Sequence, residues 1–594
     1  MPDPTNSEIA AALDELGDLY ELDGAIIHRI VAYRNAAKAV REAPVSVSGL
    51  ARQNRATELP GVGATIQEKV LALADDGVIP AAARLRAKFP AGLLAITHLP
   101  GLGPKRARRL YEELNIDSLA ALTAAAQAHQ IRTLKGFGPK AEDSLLAAAL
   151  TAEAAATDET RNGHGHGHGQ RTVLDRALTV GEQLISALRA HPAADRVELA
   201  GSARRMTDSV KDLDIIATAH QPLALATAAS ELELVEAAQN PTASGVRLRT
   251  HTGLKVDLRI VAPDQFGNLM QHFTGSKEHN MALREAAVRR GLHVSEYGVL
   301  DDSTGVTHRC EREEEVYALL GLDYIEPELR ENRGELEAAG THTLPRLITV
   351  EDLRGDLHCH TTASDGTASI EEMALAARAA GYEYLAITDH SASFGFGDEV
   401  SPERLREHIE QIHALSQTDA VGGITLLAGS EVNVLPDGRL DYEDNVLAEL
   451  DWVVASVHSS FAMDPEMMTV RIVRAIENPM VDVIGHLSGR KIETRPPYAF
   501  DFETVLDAAT RTGTLLEINA SPARRDMNDV HARAAAAAGV PIVIDCDAHR
   551  TAGFGAARYG VATARRAWLG PEAVANTKPW AELETLRPRH RHRY

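Results

Sequence analysis

Two histidines one residue apart stand where they could bind a metal ion. In the stretch "RGDLHCHTTASDG", His358 and His360 would share one face of a β-strand, because side chains at i and i+2 point the same way, and Leu357 and Cys359 would turn to the other face. Asp365 follows in a predicted turn. A His-x-His pair alone is weak support for a metal site, since it occurs in loops of many unrelated proteins. The rest of the chain therefore decides its meaning.

Apolar runs of strand length recur after this stretch and alternate with helical segments rich in Ala and Leu. They are "GDLHCH", "EYLAITDH", "ITLLAGSEV", "DWVVASVHSS", "VDVIGHLS", "GTLLEINAS" and "PIVIDCDAH". Seven such units predict a closed, mostly parallel βα barrel, in which the carboxyl ends of the strands meet at one mouth. Polar residues of metal-ligand type stand at nearly all of these ends, namely His358, His360, His390, Glu431, His458, His486, Asp547 and His549. A loop or core role for each of them separately does not account for the whole set.

A second group of carboxylates lies earlier in the chain. In "LAGSARRMTDSVKDLDIIATA", Asp212 and Asp214 flank Leu213 on a predicted strand and so share one face. The strand "LKVDLRI" offers Asp257 as a third carboxylate. Three carboxylates repel one another unless hard cations such as Mg²⁺ lie between them, which is the arrangement that a two-metal phosphoryl transferase needs. Each aspartate alone would be interpreted as a surface charge, but the ordered set is far more specific.

The same stretch contains a candidate phosphate site. Gly201 and Ser202 join a predicted strand to a helix, where free backbone amides and the Ser202 hydroxyl could receive an anion. Arg205 adds a guanidinium that can bind phosphate oxygens. The sequence therefore predicts a triphosphate-binding turn immediately before the carboxylates.

Three segments of the first 150 residues share a pattern: "LPGVGATIQEK", "LPGLGPKRARR" and "LKGFGPKAEDS". Each has an apolar residue and then Gly-x-Gly at the start of a helix, which leaves backbone N–H groups free to hold a phosphate without reading a base. One such turn is as often a simple helix–helix connection, but three together, two of them followed by basic residues, indicate nucleic-acid binding. The candidate residues are Gly61, Gly63, Gly101, Gly103, Lys105, Gly136, Gly138 and Lys140.

Bulk composition agrees with a multidomain protein of the reducing cytoplasm. The chain has 594 residues, which is too long for one core, and its three cysteines make no disulfide framework. Its beginning lacks the pattern of a secretory signal, and no apolar run is long enough to span a bilayer. A net charge of −23 excludes a globally basic nucleic-acid binder, so any DNA contact must use local patches. The run "RNGHGHGHGQ" is interpreted as a connector.

The barrel region, about residues 350 to 560, resembles the polymerase and histidinol phosphatase (PHP) family of metal-dependent phosphoesterases. That family uses nine ligands in a fixed order, matched here by His358, His360, Asp365, His390, Glu431, His458, His486, Asp547 and His549. The resemblance implies one metal held by His358, His360, Glu431 and Asp547, a second that Glu431 shares with His458 and His486, and a third held by Asp365, His390 and His549. Imidazole and carboxylate ligands suit Mn²⁺, Zn²⁺ or Fe²⁺, and the sequence does not choose among them.

Residues 1 to about 325 look like a family X DNA polymerase, a nucleotidyltransferase. The segment "HFTGSKEHNMALRE" carries part of this resemblance, which places Phe273 and Gly275 in a turn beneath the incoming sugar and Asn280 and Arg284 toward the minor groove of the nascent pair. His272 stands where many members have Tyr.

The first hairpin carries a candidate residue for lyase activity. Lys69 matches the family's Schiff-base lyase lysine, whereas Arg29 and Thr65 stand where lysines assist in eukaryotic relatives.

Both halves in one chain resemble bacterial family X polymerases with a C-terminal PHP domain. The fold implied is multidomain: an all-α helix-hairpin-helix N-terminal region, an α+β nucleotidyltransferase palm and thumb, and a C-terminal distorted (βα)7-type barrel. The implied domains are an 8 kDa-like helix-hairpin-helix domain at 1–80, fingers with two further hairpins at 81–165, the palm at 166–262, the thumb at 263–328, a linker at 329–349 and the PHP domain at 350–594.

The resemblance implies a monomeric, cytoplasmic repair enzyme that fills short gaps in DNA from dNTPs. Asp212, Asp214 and Asp257 would bind Mg²⁺, while the barrel, with two or three Mn²⁺, Zn²⁺ or Fe²⁺ ions, would act as a 3'-5' exonuclease or cleave abasic sites. One alternative is a polymerase whose barrel holds structural metals and serves as a DNA-binding scaffold. A histidinol-phosphate phosphatase explains only the barrel. No membrane partner is expected.

Overall fold

A computed structural model describes residues 3–161, 171–393 and 400–591. The Gly/His run that we interpret as a connector lies, from residue 162 onward, outside the described residues. The chain forms two compact units: residues 1–172, 178–198 and 211–261 make the first, and residues 173–177, 199–210 and 262–594 make the second.

Within the described residues 3–161, the first unit has nine α-helices. They are α1 (Asn6–Leu22), α2 (Ile27–Glu42), α3 (Val47–Arg52), α4 (Ala64–Asp76), α5 (Pro80–Arg86), α6 (Ala91–Thr97), α7 (Pro104–Leu114), α8 (Leu119–Gln127) and α9 (Pro139–Arg161). A capping box at Thr5 and Glu8 starts α1, where each side chain satisfies a backbone N–H of the other residue. Apolar residues at helical spacing, such as Ile9, Leu13 and Leu16, are fully buried in the core of this region.

Residues 172–261 form strands and helices in the order β1 (Thr172–Val173), α10 (Leu174–Ala190), β2 (Ala194–Leu199), α11 (Gly201–Arg204), β3 (Ser209–Val210), β4 (Asp212–Ala219), α12 (Pro222–Ser230), β5 (Val235–Ala238), β6 (Gly245–Thr250) and β7 (Lys255–Val261). A five-stranded sheet has the order β2-β4-β7-β6-β5. β4 and β7 are parallel neighbours, and β6 pairs antiparallel with β7. The two strands that carry the predicted aspartates therefore lie side by side.

From residue 262 onward the chain stays in the second unit. This part begins with the helices α13 (Phe266–Thr274), α14 (Lys277–Val288), α15 (Glu313–Leu319) and α16 (Glu335–Gly340). Between α14 and α15 lies a three-stranded antiparallel sheet of β8 (Leu292–Ser295), β9 (Gly298–Asp301) and β10 (Val306–His308). Ser276 caps α14 by accepting the His279 N–H. The segment after α15 is packed inside this unit, since Arg330 and Glu335 are fully buried.

A seven-stranded parallel barrel follows, with strands β11 to β17 hydrogen-bonded in sequence order. Its elements are β11 (Gly355–Cys359), α17 (Ile370–Ala379), β12 (Tyr384–Ile387), α18 (Pro402–Ser416), β13 (Thr425–Asn433), α19 (Asp444–Leu447), β14 (Trp452–Ser456), α20 (Pro465–Ile476), β15 (Val483–Ile484), α21 (Phe502–Thr512), β16 (Leu515–Asn519), α22 (Asp529–Ala537), β17 (Ile542–Asp545), α23 (Ala557–Arg566), α24 (Trp580–Leu583) and α25 (Pro588–Arg591). The His360 N–H, just after β11, donates to the Ala548 carbonyl, just after β17, and so links the first strand of the sheet to the last. The predicted barrel is confirmed.

Short 3₁₀ helices connect several of these elements. They lie at Ala56–Glu58, Ile131–Thr133, Pro263–Gln265, Pro327–Leu329, Val350–Asp352, Asp419–Val421, Thr551–Ala556, Pro571–Ala573, Ala575–Thr577 and Glu584–Leu586. Among the described helices, none combines the length and the apolar character needed to cross a bilayer.

Side chains of the barrel strands divide into an inner and an outer apolar cluster. Leu357, Leu427 and Leu515 belong to the inner cluster, whereas Cys359 belongs to the outer cluster that the helices cover. The prediction that Leu357 and Cys359 turn to the same side is therefore wrong. The physical reason is an irregularity in the pairing of β11 with β12 between Asp356 and Cys359, which breaks the alternation of faces.

Candidate metal centre and nucleic-acid-binding elements

The side chains predicted as barrel ligands meet at the carboxyl ends of the strands, with Glu431 at their centre. Its Oε1 lies 3.1 Å from His458 Nε2 and 2.9 Å from His486 Nε2. Its Oε2 lies 2.9 Å from His390 Nδ1, and the Nε2 atoms of His358 and His360 are 3.5 and 3.6 Å away. One carboxylate thus faces imidazoles from several strands, as expected of a group that bridges two cations.

Asp365 and Asp547 complete the arrangement, on the sides of the third and of the first predicted metal respectively. Asp365 lies 3.3 Å from His549 Nε2 and 3.5 Å from His390 Nε2. Asp547 Oδ1 lies 3.2 Å from His360 Nε2. The structure therefore brings all the predicted barrel ligands into one cluster.

The donor atoms fit divalent cations. Within the described residues, three sets have ligand atoms within 4.8 Å of one another: His360, Asp365, His390 and His549; His358, His360 and Glu431; and His390, Glu431 and His458. His358 Nε2, both ring nitrogens of His360 and His486 Nδ1 are buried without a hydrogen-bond partner in the described part of the chain. Burying unpaired polar atoms is costly, and coordination of Mn²⁺, Zn²⁺ or Fe²⁺ through one nitrogen of a ring would satisfy part of this set.

The electrostatics of the cluster leave some ligands in the state that coordination requires and protonate others: against the effect of burial, neighbouring carboxylates raise the pKa values of His358 and His549. Burial lowers the pKa of His360 to about 4 and that of His486 to about 3. Although burial opposes ionisation of Glu431 and Asp547, the surrounding imidazoles hold the pKa values of both carboxyls well below their usual range. Against the effect of burial, Glu431 raises the pKa of His390 to about 9. Metal binding would displace that proton, so its affinity should increase with pH.

Glu517 is a functional residue that the sequence reasoning missed. Its Oε1 lies 2.6 Å from His358 Nδ1, and its Oε2 accepts the backbone N–H of His486 at 2.6 Å. The carboxylate therefore orients the ring of His358 and holds the backbone at His486. Glu517 stands two residues after Leu515 in "GTLLEINAS", and Leu515 faces the barrel interior, so the alternation of β16 could have indicated it.

Asp389 has a similar supporting role on the opposite side of the mouth. It accepts the N–H and hydroxyl of Thr361 and the Ser364 hydroxyl, and it lies 3.0 Å from His408 Nε2. These bonds fix the loop that carries Asp365. The sequence reasoning did not select Asp389, because the next residue, His390, was assigned the ligand role at this strand end.

The three predicted polymerase carboxylates lie in the first unit. Asp214 and Asp257 are register partners on the parallel strands β4 and β7, and Asp212 stands two residues before Asp214 on the same strand. Leu213 between them is buried, which leaves both aspartates on the other face. Arg259 Nη2 lies 3.1 Å from Asp257. The predicted juxtaposition of β4 and β7 is present, and metal binding there stays a prediction.

The predicted phosphate turn lies in the second unit. Gly201 begins α11 in a left-handed conformation, with φ of 68°, which favours glycine. Arg205 Nη1 donates to the Thr274 carbonyl at 2.8 Å, and its Nε lies 3.1 Å from Glu331. Arg204 Nη1 donates to the Thr274 hydroxyl at 2.8 Å. Both arginines thus join the phosphate turn to the end of α13.

The predicted sugar turn follows α13. A Cβ on Gly275 would lie 2.6 Å from Asn280 Oδ1, so only glycine fits there without displacement. Asn280 Nδ2 donates to the His272 carbonyl, and Asn280 Oδ1 accepts from the Gln271 amide. The Asn280 amide is therefore occupied in fixing the turn, a role that the sequence did not predict. Phe273 is half-buried beside it, and the Arg284 side chain lies 3.1 Å from His272 Nδ1.

The three predicted hairpins share one backbone geometry in the first unit. The first glycine of each is left-handed, with φ of 86° at Gly61, 79° at Gly101 and 88° at Gly136. The second glycine directly precedes α4, α7 or α9 and stands at Gly63, Gly103 and Gly138. A Cβ added at Gly103 or Gly138 would meet nothing within 4 Å, which shows that these helix starts face open space.

Basic residues around the hairpins divide into exposed and structural ones. Lys105 and Lys140 are exposed. Arg106 instead donates to the carbonyls of Gly101 and Gly136 and lies over the Phe137 ring, and so joins two hairpins. The exposed lysines are the better candidates for phosphate contacts. On the first hairpin, Lys69 is half-buried on α4.

These elements match four family models of known proteins. They are a helix-hairpin-helix domain at residues 4–79, a SAM-like helix-hairpin-helix tandem at 93–149, a DNA polymerase beta thumb at 269–331 and a PHP domain at 356–521. Together with the barrel ligands, these matches define a nucleic-acid polymerase joined to a metal-dependent PHP domain. Asp547 and His549 lie beyond the matched PHP range, and the structure places them in the cluster.

A relative of the same architecture covers almost the whole chain. The DNA polymerase/3'-5' exonuclease PolX of Bacillus subtilis is 34% identical over 585 residues, which are 98% of this chain and 99% of the relative. The chain belongs to the family X DNA polymerases that carry a C-terminal PHP domain, and it is therefore an enzyme.

Other relatives match the barrel alone. A "probable phosphatase" of Thermoanaerobacter sp. is 31% identical over 255 residues, which are 40% of this chain and 95% of the relative. Another, from Caldanaerobacter subterraneus, is 34% identical over 206 residues, which are 33% of this chain and 75% of the relative. The barrel is thus a module that also exists without the polymerase part.

Proposed function

We propose that this enzyme fills short gaps in DNA from dNTPs and removes 3'-terminal nucleotides with its PHP barrel, as a monomer acting in DNA repair. One observation carries the proposal: a relative named polymerase and 3'-5' exonuclease matches 98% of the chain. The aspartates on β4 and β7, the three hairpins and the barrel cluster supply the chemistry that both activities need.

In nucleotide addition, the hairpin amides with Lys105 and Lys140 hold the phosphates of gapped or primer–template DNA. Gly201, Ser202 and Arg205 receive the triphosphate of the dNTP. Asp212, Asp214 and Asp257 would hold two Mg²⁺ ions, which stabilise the attacking and leaving oxygens when bound. Asp257 also takes part in removing the proton of the primer 3'-hydroxyl.

The residues around the dNTP would set its selection. Phe273 and Gly275 form the floor beneath the sugar, held in place by Asn280. Arg284 and His272 lie 3.1 Å apart at the edge of this turn.

In 3'-end hydrolysis, the barrel mouth holds the terminal phosphodiester. The nine ligands would hold two or three Mn²⁺, Zn²⁺ or Fe²⁺ ions, which polarise the phosphoryl group and lower the pKa of a water when bound. Glu431 keeps the imidazoles of neighbouring strands at fixed separations, and Glu517 fixes the ring of His358. Abasic DNA is a second substrate of this site, because its cleavage is also phosphodiester hydrolysis.

A silent barrel that only scaffolds DNA is the weaker alternative. Such a barrel would also hold metal ions, so cation binding does not separate the two readings; the relative that matches 98% of the chain and is named polymerase and 3'-5' exonuclease favours hydrolysis. A free-standing phosphatase leaves the hairpins and the β4–β7 aspartates without a role.

The test uses one gapped DNA with a labelled primer. Purified enzyme with Mg²⁺ and dNTPs should extend the primer to the end of the gap, and enzyme with Mn²⁺ and no dNTPs should shorten it from the 3' end. A parallel substrate with an abasic site should be cleaved under the second condition. Absence of extension would refute the polymerase, and absence of shortening with each of Mn²⁺, Zn²⁺ and Fe²⁺ would leave the scaffold alternative.

A further inference from the structure

The phosphate turn at residues 201–208 packs, within the second unit, against arginines of the barrel. Asp208, the last residue of this turn, lies 2.8 Å from Arg490 Nη1 and 3.4 Å from Arg525 Nη1. Its carbonyl also accepts the Leu174 N–H. Neither arginine belongs to the polymerase region of the sequence, so the barrel contributes charge directly to a polymerase element.

A second contact lies at the other side of the same turn. Arg566 Nη1 donates to the Arg205 carbonyl at 2.9 Å and to Glu331 Oε1 at 2.8 Å, while Arg566 Nη2 lies 3.2 Å from Asp529. Glu331 Oε1 also accepts from Arg205 Nε at 3.1 Å. Glu331 thus accepts from both guanidinium groups and links the barrel arginine to Arg205.

The arginines of these contacts are largely withdrawn from water, whereas the side chain of Asp208 is 37% exposed. The side chains of Arg490, Arg525 and Arg566 are 13%, 1% and 10% exposed. Exposed ion pairs contribute little, whereas removing one partner of a buried pair leaves an uncompensated charge and a structural rearrangement. The turn is thus held in one position by the barrel.

The loops that carry two of these arginines are hydrogen-bonded to each other. Arg490 Nε donates to the Arg524 carbonyl at 2.8 Å, and Arg490 Nη2 donates to the Arg525 carbonyl. Asp526 accepts the N–H groups of Ser488 and Arg490. The two loops after β15 and β16 therefore act as one body against Asp208.

We propose that Arg490, Arg525 and Arg566 are positioning residues for the polymerase, which fix the phosphate turn so that Ser202, the turn amides and Arg205 are preorganised for a triphosphate. The inference rests on the proposed role of this turn in dNTP binding. It makes the barrel a structural support of the phosphate turn, independent of whether the barrel hydrolyses DNA.

The test is steady-state single-nucleotide insertion into gapped DNA by the full chain, with KM and kcat measured separately. We expect R490Q and R566Q each to raise the KM for dNTP about fivefold or more, with a much smaller change in kcat. D208N should do the same, and the effect of the double variant D208N/R490Q should be clearly smaller than the two single effects combined, because both substitutions remove the Asp208–Arg490 contact. R490K should recover part of the loss, since a cation returns beside Asp208.

The matched control is R406Q, which removes an exposed barrel arginine paired with Glu449. It should leave KM and kcat unchanged.

The inference is overturned if R490Q and R566Q behave like R406Q, or if D208N and R490Q have additive effects on KM. If the wild type inserts no nucleotide, the proposed polymerase function itself fails. If the wild type inserts nucleotides and the variants do so with an unaltered KM, only the positioning role fails. Far-ultraviolet circular dichroism and thermal unfolding identify a variant that does not fold, and R566Q tests the same turn through a different contact.

Discussion

Replacing Glu517 by Gln should loosen the barrel metal site without touching a ligand. Glu517 Oε1 faces the His358 ring N–H at 2.6 Å, and its Oε2 faces the His486 backbone N–H at 2.6 Å. Both partners are donors, so the carboxylate satisfies both, whereas a Gln amide offers one acceptor oxygen and must turn its NH₂ toward the other donor. The residue is buried, so water cannot compensate.

The magnitude follows from this geometry. An unsatisfied buried donor costs about 1 to 3 kcal/mol, and a tenfold change in affinity corresponds to about 1.4 kcal/mol. A loss of roughly tenfold to a hundredfold in metal affinity is therefore expected, which agrees with the usual effect of changing a residue that orients a metal-binding histidine.

The assay is titration of chelator-treated protein with Mn²⁺, followed by calorimetry and by the rate of 3'-end hydrolysis at each Mn²⁺ concentration. E517Q should need more Mn²⁺ for half-maximal binding and rate, and saturating Mn²⁺ should restore most of the rate. E503Q, which changes an exposed glutamate of α21, is the control and should titrate like the wild type. An unchanged Mn²⁺ affinity in E517Q would refute the reasoning.

Two further predictions concern the hairpins and the thumb. Replacing Lys105 and Lys140 by Gln should weaken DNA binding equally for different sequences and reduce the slope of log affinity against log salt by about 0.9 per lost contact, measured by fluorescence anisotropy; a loss confined to one sequence would contradict phosphate recognition. In the thumb, buried His279 lies 2.7 Å from Glu335 and 3.0 Å from the Tyr317 hydroxyl. Burial lowers the pKa of His279 below its ordinary value of 6.5, so the unfolded state binds the extra proton and stability falls as pH drops below 6.5, by at most about 1.4 kcal/mol per pH unit. Although burial opposes it, the bond to His279 lowers the pKa of Glu335, which adds a loss in the same direction at lower pH. Hydrogen exchange of α14 should accelerate from pH 7 to 5 in the wild type, after correction for intrinsic rates, and less so in H279Q; equal acceleration in both would contradict this account.

Residue order predicted the barrel site well because a parallel barrel imposes its geometry. The carboxyl ends of all strands reach one mouth whatever the helices between them do, so the positions of His390, Glu431 and His486 in the sequence were enough to predict their meeting. The same rule of alternating faces failed at Leu357, because the pairing irregularity in β11 depends on its neighbours and not on its own residues.

Contacts between distant segments were beyond sequence reasoning. Nothing in the residue types of Asp208 and Arg490 indicates that they are partners, since they are 282 positions apart. Lys105 and Arg106 are adjacent basic residues of one hairpin, but the Arg106 guanidinium joins two hairpins through backbone carbonyls. Such roles depend on how elements pack, which residue order does not determine locally.

The central claim is that two independent metal sites in one chain perform opposite reactions at a primer end. The most direct measurement follows a 5'-labelled primer in gapped DNA, with Mg²⁺ and dNTPs or with Mn²⁺ alone, for the wild type, the D212A/D214A double variant and E431A. The account predicts that D212A/D214A still binds and shortens the primer but cannot extend it, and that E431A extends it but cannot shorten it even when Mn²⁺ is added after chelation. Loss of shortening in D212A/D214A together with its survival in E431A would contradict the account, because hydrolysis would then occur at the polymerase aspartates.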